Sequence, residues 1–393
     1  IKTTGKLKPR KAGTAGFFNM KISARIQLGV ILASIVLGIA ACKSAEAKKA
    51  EQHRAEELSH AKSHHNPIDS LPPVSFAWMK ESNAEKRWVD SVYNNMNLTE
   101  RIGQLFMVAA YSNKDSVHVN SVKKLIRDYK IGGLIFFQGG PMRQAKLTNQ
   151  YQALSKLPLF IGIDAEWGLN MRLDSTFKFP FNMTLGAVRN KKLLESMGIQ
   201  MAKESKRLGV HFNFAPVLDV NTNPKNPIIG FRSFGESKEN VTQSALALMT
   251  GIQESGIYAT GKHFPGHGDT GTDSHYALPV IPFTKERIDS LELYPYKKLF
   301  KNGLSSVMVA HLNVPAIEPQ ADIPSSVSKN IISDLLIDEM KFDGLIFTDA
   351  LNMKAASGTR PPGKINLEAL LAGNDVLLFP ENIPLGIELI CMA

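Results

Sequence analysis

The residues best able to do chemistry lie in one stretch, GKHFPGHGDTGTDSHYALP, at 261–279. Lys262 and His263 lead into a Gly/Pro-rich segment that carries His267, Asp269, Asp273 and His275. Burying so many titratable groups for packing alone would be costly, since each charge taken from water must find a partner. Loops of this composition run over the surface and often carry function. Asp273 and His275 stand two residues apart, which lets a carboxylate hold an imidazole by a hydrogen bond. That pairing fixes the tautomer and raises the basicity of the ring, suiting it to general acid/base work near neutral pH. His267 reads as a stabiliser of the loop rather than a reacting group. His263, His267 and His275 with nearby aspartates could suggest a metal cluster. Their Gly-rich spacing lacks the scaffold of a metal site, so neither a metal nor a cofactor is expected. Asp349, which closes the apolar run at 344–349, could by itself simply cap the helical pattern that follows.

These groups need elements to hold them. From about residue 83 onward, short apolar runs recur at 103–111, 132–137, 159–164, 210–220, 257–263, 305–311, 344–349 and 375–379. They are rich in Val, Ile, Leu and Phe and do not alternate, as expected of strands buried on both faces. Helical patterns lie between them, at 121–129, 191–208, 238–255, 285–301 and 328–340. Eight strands with intervening helices over about 300 residues predict a (β/α)8 TIM-type barrel. A doubly wound open sheet would usually show a Gly-rich phosphate turn after its first strand, and this sequence has none. In a barrel the working groups sit just past the C-terminal ends of the strands. Asp164 and Glu166, Asp219, Lys262 and His263, His311, and Asp349 all fall there.

The 261–279 stretch resembles the signature of the β-N-acetylglucosaminidases of glycoside hydrolase family 3, in which an Asp–His dyad on a mobile loop replaces the usual carboxylic acid/base. By position the dyad is Asp273 and His275. GLIFTDALNM, at 344–353, is similar to the family's nucleophile strand and implies Asp349 as nucleophile. IGIDAEWG and GFRSFGE imply sugar-hydroxyl ligands at Asp164 and Arg232, and Lys262 and His263 match the remaining sugar-binding pair. Five motifs in the family's order cover the chain from about residue 98 to its end. The resemblance implies a retaining exo-β-N-acetylglucosaminidase that removes terminal β-linked N-acetylglucosamine from muropeptides or glycans. A retaining glycosidase needs an ionised carboxylate under the anomeric carbon and a proton donor beside the leaving oxygen. The usual pair is two carboxylates, so an imidazole donor would be an exception. β-Glucosidases of the family generally take their acid/base from a following domain, so the Asp–His loop points to the N-acetylglucosaminidase branch. The alternatives are a phosphorylase or β-glucosidase of the family, or an inactive sugar-binding lipoprotein. A phosphorylase is in view because a neutral imidazole tolerates an anionic acceptor.

The formal charge of +10 is located in the leader: residues 1–65 hold twelve Lys/Arg and four Glu, leaving only +2 for the rest. A nearly neutral folded part argues against nucleic acid as a partner. The two cysteines, Cys42 and Cys391, make no disulfide framework. Met20 opens a short basic segment, followed by an apolar run at 26–41 that ends Ile39-Ala40-Ala41-Cys42. This ending resembles the lipobox of bacterial lipoproteins, with cleavage before Cys42 and a lipid on that cysteine. The expected organisation is an upstream extension at 1–19, a lipoprotein signal peptide at 20–41, a polar tether at 42–82 and the barrel at 83–393. The expected location is the bacterial cell envelope, with the lipid as membrane anchor. Residues 382–393 read as the start of a last helix, so the barrel is expected to be truncated at its C-terminus.

Overall fold

The computed structural model describes residues 82–393 apart from 359 and 362; the expected extension, signal peptide, Cys42 and nearly all of the tether lie outside the described residues. Eight parallel strands follow one another around a ring: β1 (Phe106–Ala110), β2 (Gly133–Phe136), β3 (Phe160–Ile163), β4 (Phe212–Asn213), β5 (Tyr258–Phe264), β6 (Ser306–Val309), β7 (Leu345–Thr348) and β8 (Leu377–Leu378). β1 pairs with both β2 and β8. A parallel bridge between Phe347 and Val376, with Thr348 N–H donating to Val376 O at 3.0 Å, brings β7 against the approach to β8 and closes the ring. The expected TIM-type barrel is the fold observed.

The strands run apolar without alternation because both faces are covered, by different residues. Phe106 and Val108 of β1, Leu134 and Phe136 of β2 and Leu377 of β8 belong to a cluster with Val122, Ile126, Tyr151, Ala369 and Ile387 of the surrounding helices. Their neighbours Met107, Ile135 and Leu378 join Phe212, Phe214, Met308 and Phe347 in a separate cluster that fills the ring. Each such side chain contributes roughly 1.5–3 kcal/mol by burial. The barrel is thus a packed core rather than a pore.

The outer helices are α1 (Asn83–Asn94), α2 (Leu98–Gly103), α3 (Ser116–Tyr129), α4 (Pro141–Leu154), α5 (Asn182–Gly186), α6 (Lys192–Arg207), α7 (Lys238–Glu254), α8 (Lys285–Ser290), α9 (Tyr294–Lys301), α10 (Lys354–Ser357), α11 (Lys364–Ala372) and α12 (Ile383–Met392). Their starts are legible as caps: Asn97 and Glu100 form a capping box at α2, and Asp115 and Ser237 cap α3 and α7. α6 and α7 meet so closely that a Cβ on Gly251 would lie 2.0 Å from Glu195 O.

Two helical expectations change. The pattern at 285–301 is broken into α8 and α9 at residues 291–293, with Pro295 in the first turn of α9, where its missing N–H costs nothing. The pattern at 328–340 is a π-helix, Asn330–Glu339.

Candidate active site

Every polar group expected at the C-terminal mouth is there. Asp164 follows β3, Asp219 follows β4, Lys262 and His263 lie in β5, His311 follows β6 and Asp349 follows β7. Adjacent residues of a strand normally point to opposite faces. β5 shifts register against β6 between Lys262 and Phe264, and such an irregularity re-aims side chains, so Lys262 and His263 both reach the mouth. They line a cleft of about 650 Å³ together with Asp164, Arg172, Arg232, His267, His275 and Asp349.

The floor is an interlocked set of charges. Lys262, 1 % exposed, donates to Asp164 Oδ1 at 2.8 Å and sits 2.9 Å from Glu166 Oε1. An ammonium has three N–H groups, so one remains for a ligand. Arg172 pairs with Asp164 Oδ2. Arg232 grips Glu166 with two parallel bonds, at 2.6 and 3.1 Å, the bidentate geometry peculiar to guanidinium and carboxylate. The same Arg232 Nη2 lies 3.1 Å from His263 Nε2, and His263 Nδ1 lies 2.7 Å from Asp219 Oδ2. A guanidinium can only donate, so His263 Nε2 accepts and its proton sits on Nδ1, facing Asp219.

Burial alone would raise the Asp164 and Glu166 carboxyls, but the cations outweigh it. Lys262 and Arg172 hold Asp164 far below its usual range, and Arg232 and Lys262 hold Glu166 at about 2. Both stay ionised at any working pH.

Asp349 differs in kind. Its Oδ1 accepts from Ala350 N–H at 2.7 Å, and Oδ2 has no hydrogen-bond partner among the described residues. Burial raises its carboxyl, while His311, His263, the Ala350 N–H and Lys262 lower it further, so the net direction is down. The result is an ionised carboxylate with an oxygen to spare. His311 lies beneath it with Nδ1 2.7 Å from Ser326 Oγ and Nε2 3.0 Å from Ala350 O. A carbonyl can only accept, so Nε2 carries the proton. Burial lowers the pKa of this ring.

Asp273 and His275 do come together: His275 Nδ1 lies 2.8 Å from Asp273 Oδ1, and the His275 N–H donates to the same oxygen at 2.8 Å. The His275 ring is exposed and lines the same cleft as Asp349. His267 is the opposite case, buried and neutral, with burial taking its pKa down to about 4.

Sequence reasoning placed Glu166, Asp219 and His311 at the mouth without giving them roles, and it passed over Arg172 entirely. Position at a strand end was the signal for the first three. Arg172 reaches in from a loop eight residues after Asp164, and no periodicity marks it.

A barrel with buried, paired charges at one mouth and an open carboxylate among them defines an enzyme of the (β/α)8 class. The sequence pattern of the glycosyl hydrolase family 3 N-terminal domain matches residues 97–390. The chain therefore belongs to glycosyl hydrolase family 3. It is 35% identical over 282 residues to beta-hexosaminidase A of Pseudoalteromonas piscicida, covering 66% of this chain and 47% of that one. A beta-hexosaminidase of Alkalilimnicola ehrlichii is 34% identical, over 65% of this chain and 76% of its own. Among solved structures, a family 3 beta-N-acetylglucosaminidase from Paenibacillus sp. str. FPU-7 superposes with a TM-score of 0.71 at 37% identity, covering 76% of this chain and 58% of that one. The chain thus spans about half the length of the first of these relatives.

Proposed function

We propose that the protein is a retaining exo-β-N-acetylglucosaminidase acting on terminal β-linked N-acetylglucosamine of muropeptides or glycans. The observation that carries this reading is the pairing of roles across the cleft. An ionised Asp349 with a free oxygen stands at the end of β7, and an exposed imidazole held by its own carboxylate stands at the rim. The beta-hexosaminidase names of several relatives support the same substrate class.

In the first step Asp349 Oδ2 attacks the anomeric carbon as the bond to the leaving oxygen breaks. His275, protonated and held through Nδ1 by Asp273, gives its Nε2 proton to that oxygen. In the second step neutral His275 takes a proton from water, which attacks the anomeric carbon and frees Asp349. Asp164, Arg232 and Lys262 hold the sugar hydroxyls, and His263, bonded to Arg232 and Asp219, holds Arg232 in place beside the sugar. Being tied to one another, they need no reorganisation when charge develops on the ring. An ionised Asp349 with an oxygen open to the cleft suits an oxocarbenium-like transition state.

The test is release of p-nitrophenol from its β-N-acetylglucosaminide and β-glucoside, with Asp349→Ala beside the native protein. Activity on the N-acetyl substrate alone, lost in the variant while the fold survives, supports the proposal. Turnover that rises with added phosphate would move the reading to a phosphorylase. No activity from a folded protein would favour a sugar-binding role. The same proposal places the protein in the bacterial cell envelope, anchored by a lipid on Cys42. Loss of labelled palmitate from a Cys42→Ala variant would support that placement.

A further inference from the structure

The loop that carries Asp273 and His275 is fixed unevenly. Its root is bound on several sides. Asp219 Oδ1 accepts from His267 N–H at 2.7 Å, Asn226 Nδ2 donates to His267 O at 2.8 Å, and Asn223 Nδ2 donates to Thr270 O at 3.1 Å. Arg287 of α8 adds an ion pair to Asp269 at 3.0 Å. After Thr270 this support ends, and a Cβ on Gly271 would meet nothing within 4 Å. The bonds between Asp273 and His275 are internal to the tip, as are those from Tyr276 and Ala277 N–H back to Asp273 O. Internal bonds give the tip a shape; they do not say where it stands.

Ser274, between the two, is only 3 % exposed, while His275 and Tyr276 beside it are exposed. It makes two contacts outside the tip. Its Oγ lies 3.3 Å from His267 Nε2, and its carbonyl accepts from Ala355 N–H at 3.3 Å. Ala355 is in α10, seven residues after Thr348 closes β7 and six after Asp349.

The direction of the first bond follows from the hydrogens. Thr270 Oγ1 donates to His267 O at 3.0 Å, so it receives the proton of His267 Nδ1 at 2.6 Å. His267 Nε2 is then a bare acceptor, and the Ser274 hydroxyl donates to it. A buried neutral imidazole keeps that acceptor available throughout the neutral range.

We propose that Ser274 is a positioning residue: seated by its hydroxyl on His267 and by its carbonyl on Ala355, it sets the Asp273–His275 pair relative to Asp349. One contact refers the tip to the rooted half of the loop, the other to the helix behind the nucleophile strand. The inference rests on reading the pair as the proton donor. A donor displaced by about an ångström loses much of its effect.

The test uses two substrates and three proteins. Cleavage of 2,4-dinitrophenyl β-N-acetylglucosaminide needs no proton on its leaving group, whereas cleavage of N,N′-diacetylchitobiose does. For Ser274→Ala, kcat/KM should fall about 10- to 100-fold on the disaccharide and less than about 3-fold on the dinitrophenyl substrate. Equal loss on both substrates, through unfolding or otherwise, would overturn the inference, and so would no loss on either. His275→Ala, run alongside, must show the same contrast in larger measure. If it does not, the reading of the dyad fails, whatever Ser274→Ala does. If His275→Ala shows the contrast and Ser274→Ala does not, the dyad stands and the role of Ser274 falls.

Discussion

The two mouths of the barrel are built from different materials. At the C-terminal mouth, charged side chains are buried against one another, and Lys262, Glu166 and Asp219 are almost wholly out of water. At the N-terminal mouth a cavity of about 480 Å³ is lined by the rings of Phe160, Phe212, Tyr258 and Phe342 and by Ile337, Leu345 and Ile346, with Glu85, Asp343 and Asp375 among them. Phe160 and Phe212 stand 5.2 Å apart edge to face, and Phe212 stacks on Tyr258 at 5.0 Å. Asp375 accepts the Ile346 N–H, serving the chain's own backbone. One mouth spends its polar groups on each other and on a cleft, and the other on closing the fold. Burying ions is a poor way to gain stability, so the first mouth is where a function should be sought.

The comparison breaks most sharply at Asp349. Replacing it with Asn should lower kcat/KM on the p-nitrophenyl N-acetylglucosaminide by on the order of 10⁴-fold, with little change in thermal midpoint. His275→Ala should follow with a loss of about 10²- to 10⁴-fold on the same substrate. Lys262→Met tests the floor and should be felt in both measures. Asp164 and Glu166 would lose a shared cation, a cost of about 3–5 kcal/mol by denaturant titration, together with loss of activity.

An acid titration of stability sharpens the contrast further. The pKa values of His118, His211, His267 and His311 are lowered in the folded protein, mainly by burial, His267 to about 4. The unfolded chain then binds protons first, from a usual value of 6.5. Stability should be fullest above that value and fall as pH drops from about 6.5 towards about 4. Urea midpoints across that range should show the slope, and His267→Gln should flatten it. The smallest effect is expected at the other mouth. Phe160, 46 % exposed, changed to Ser should cost no more than about 1 kcal/mol and leave kcat/KM unchanged.

The sequence made the barrel legible because its strands are buried on both faces and its working groups fall at one end of them. Boundaries were less clear. The run at 210–220 yields a strand of only two residues, because Ala215 N–H turns back to Asn213 O and leaves the ladder. At the site, residue types at strand ends pointed to the mouth, but the pairing of those groups is a property of the ring. That Glu166 should meet Arg232, 66 residues on, or that Ser274 should lean on α10, depends on how neighbouring strands bring their loops together. Local pattern carries no trace of either. The register shift in β5 that turns both Lys262 and His263 to the cleft is equally silent in the sequence.

The central claim, a covalent glycosyl-enzyme on Asp349, is tested most directly by trapping it. The protein would be incubated with 5-fluoro-N-acetyl-β-glucosaminyl fluoride and its peptides mapped by mass spectrometry. The account predicts one sugar adduct, carried by the peptide that contains Asp349 and absent from Asp349→Asn. An adduct on any other residue, or hydrolysis with inversion at the anomeric carbon and no adduct, would contradict it.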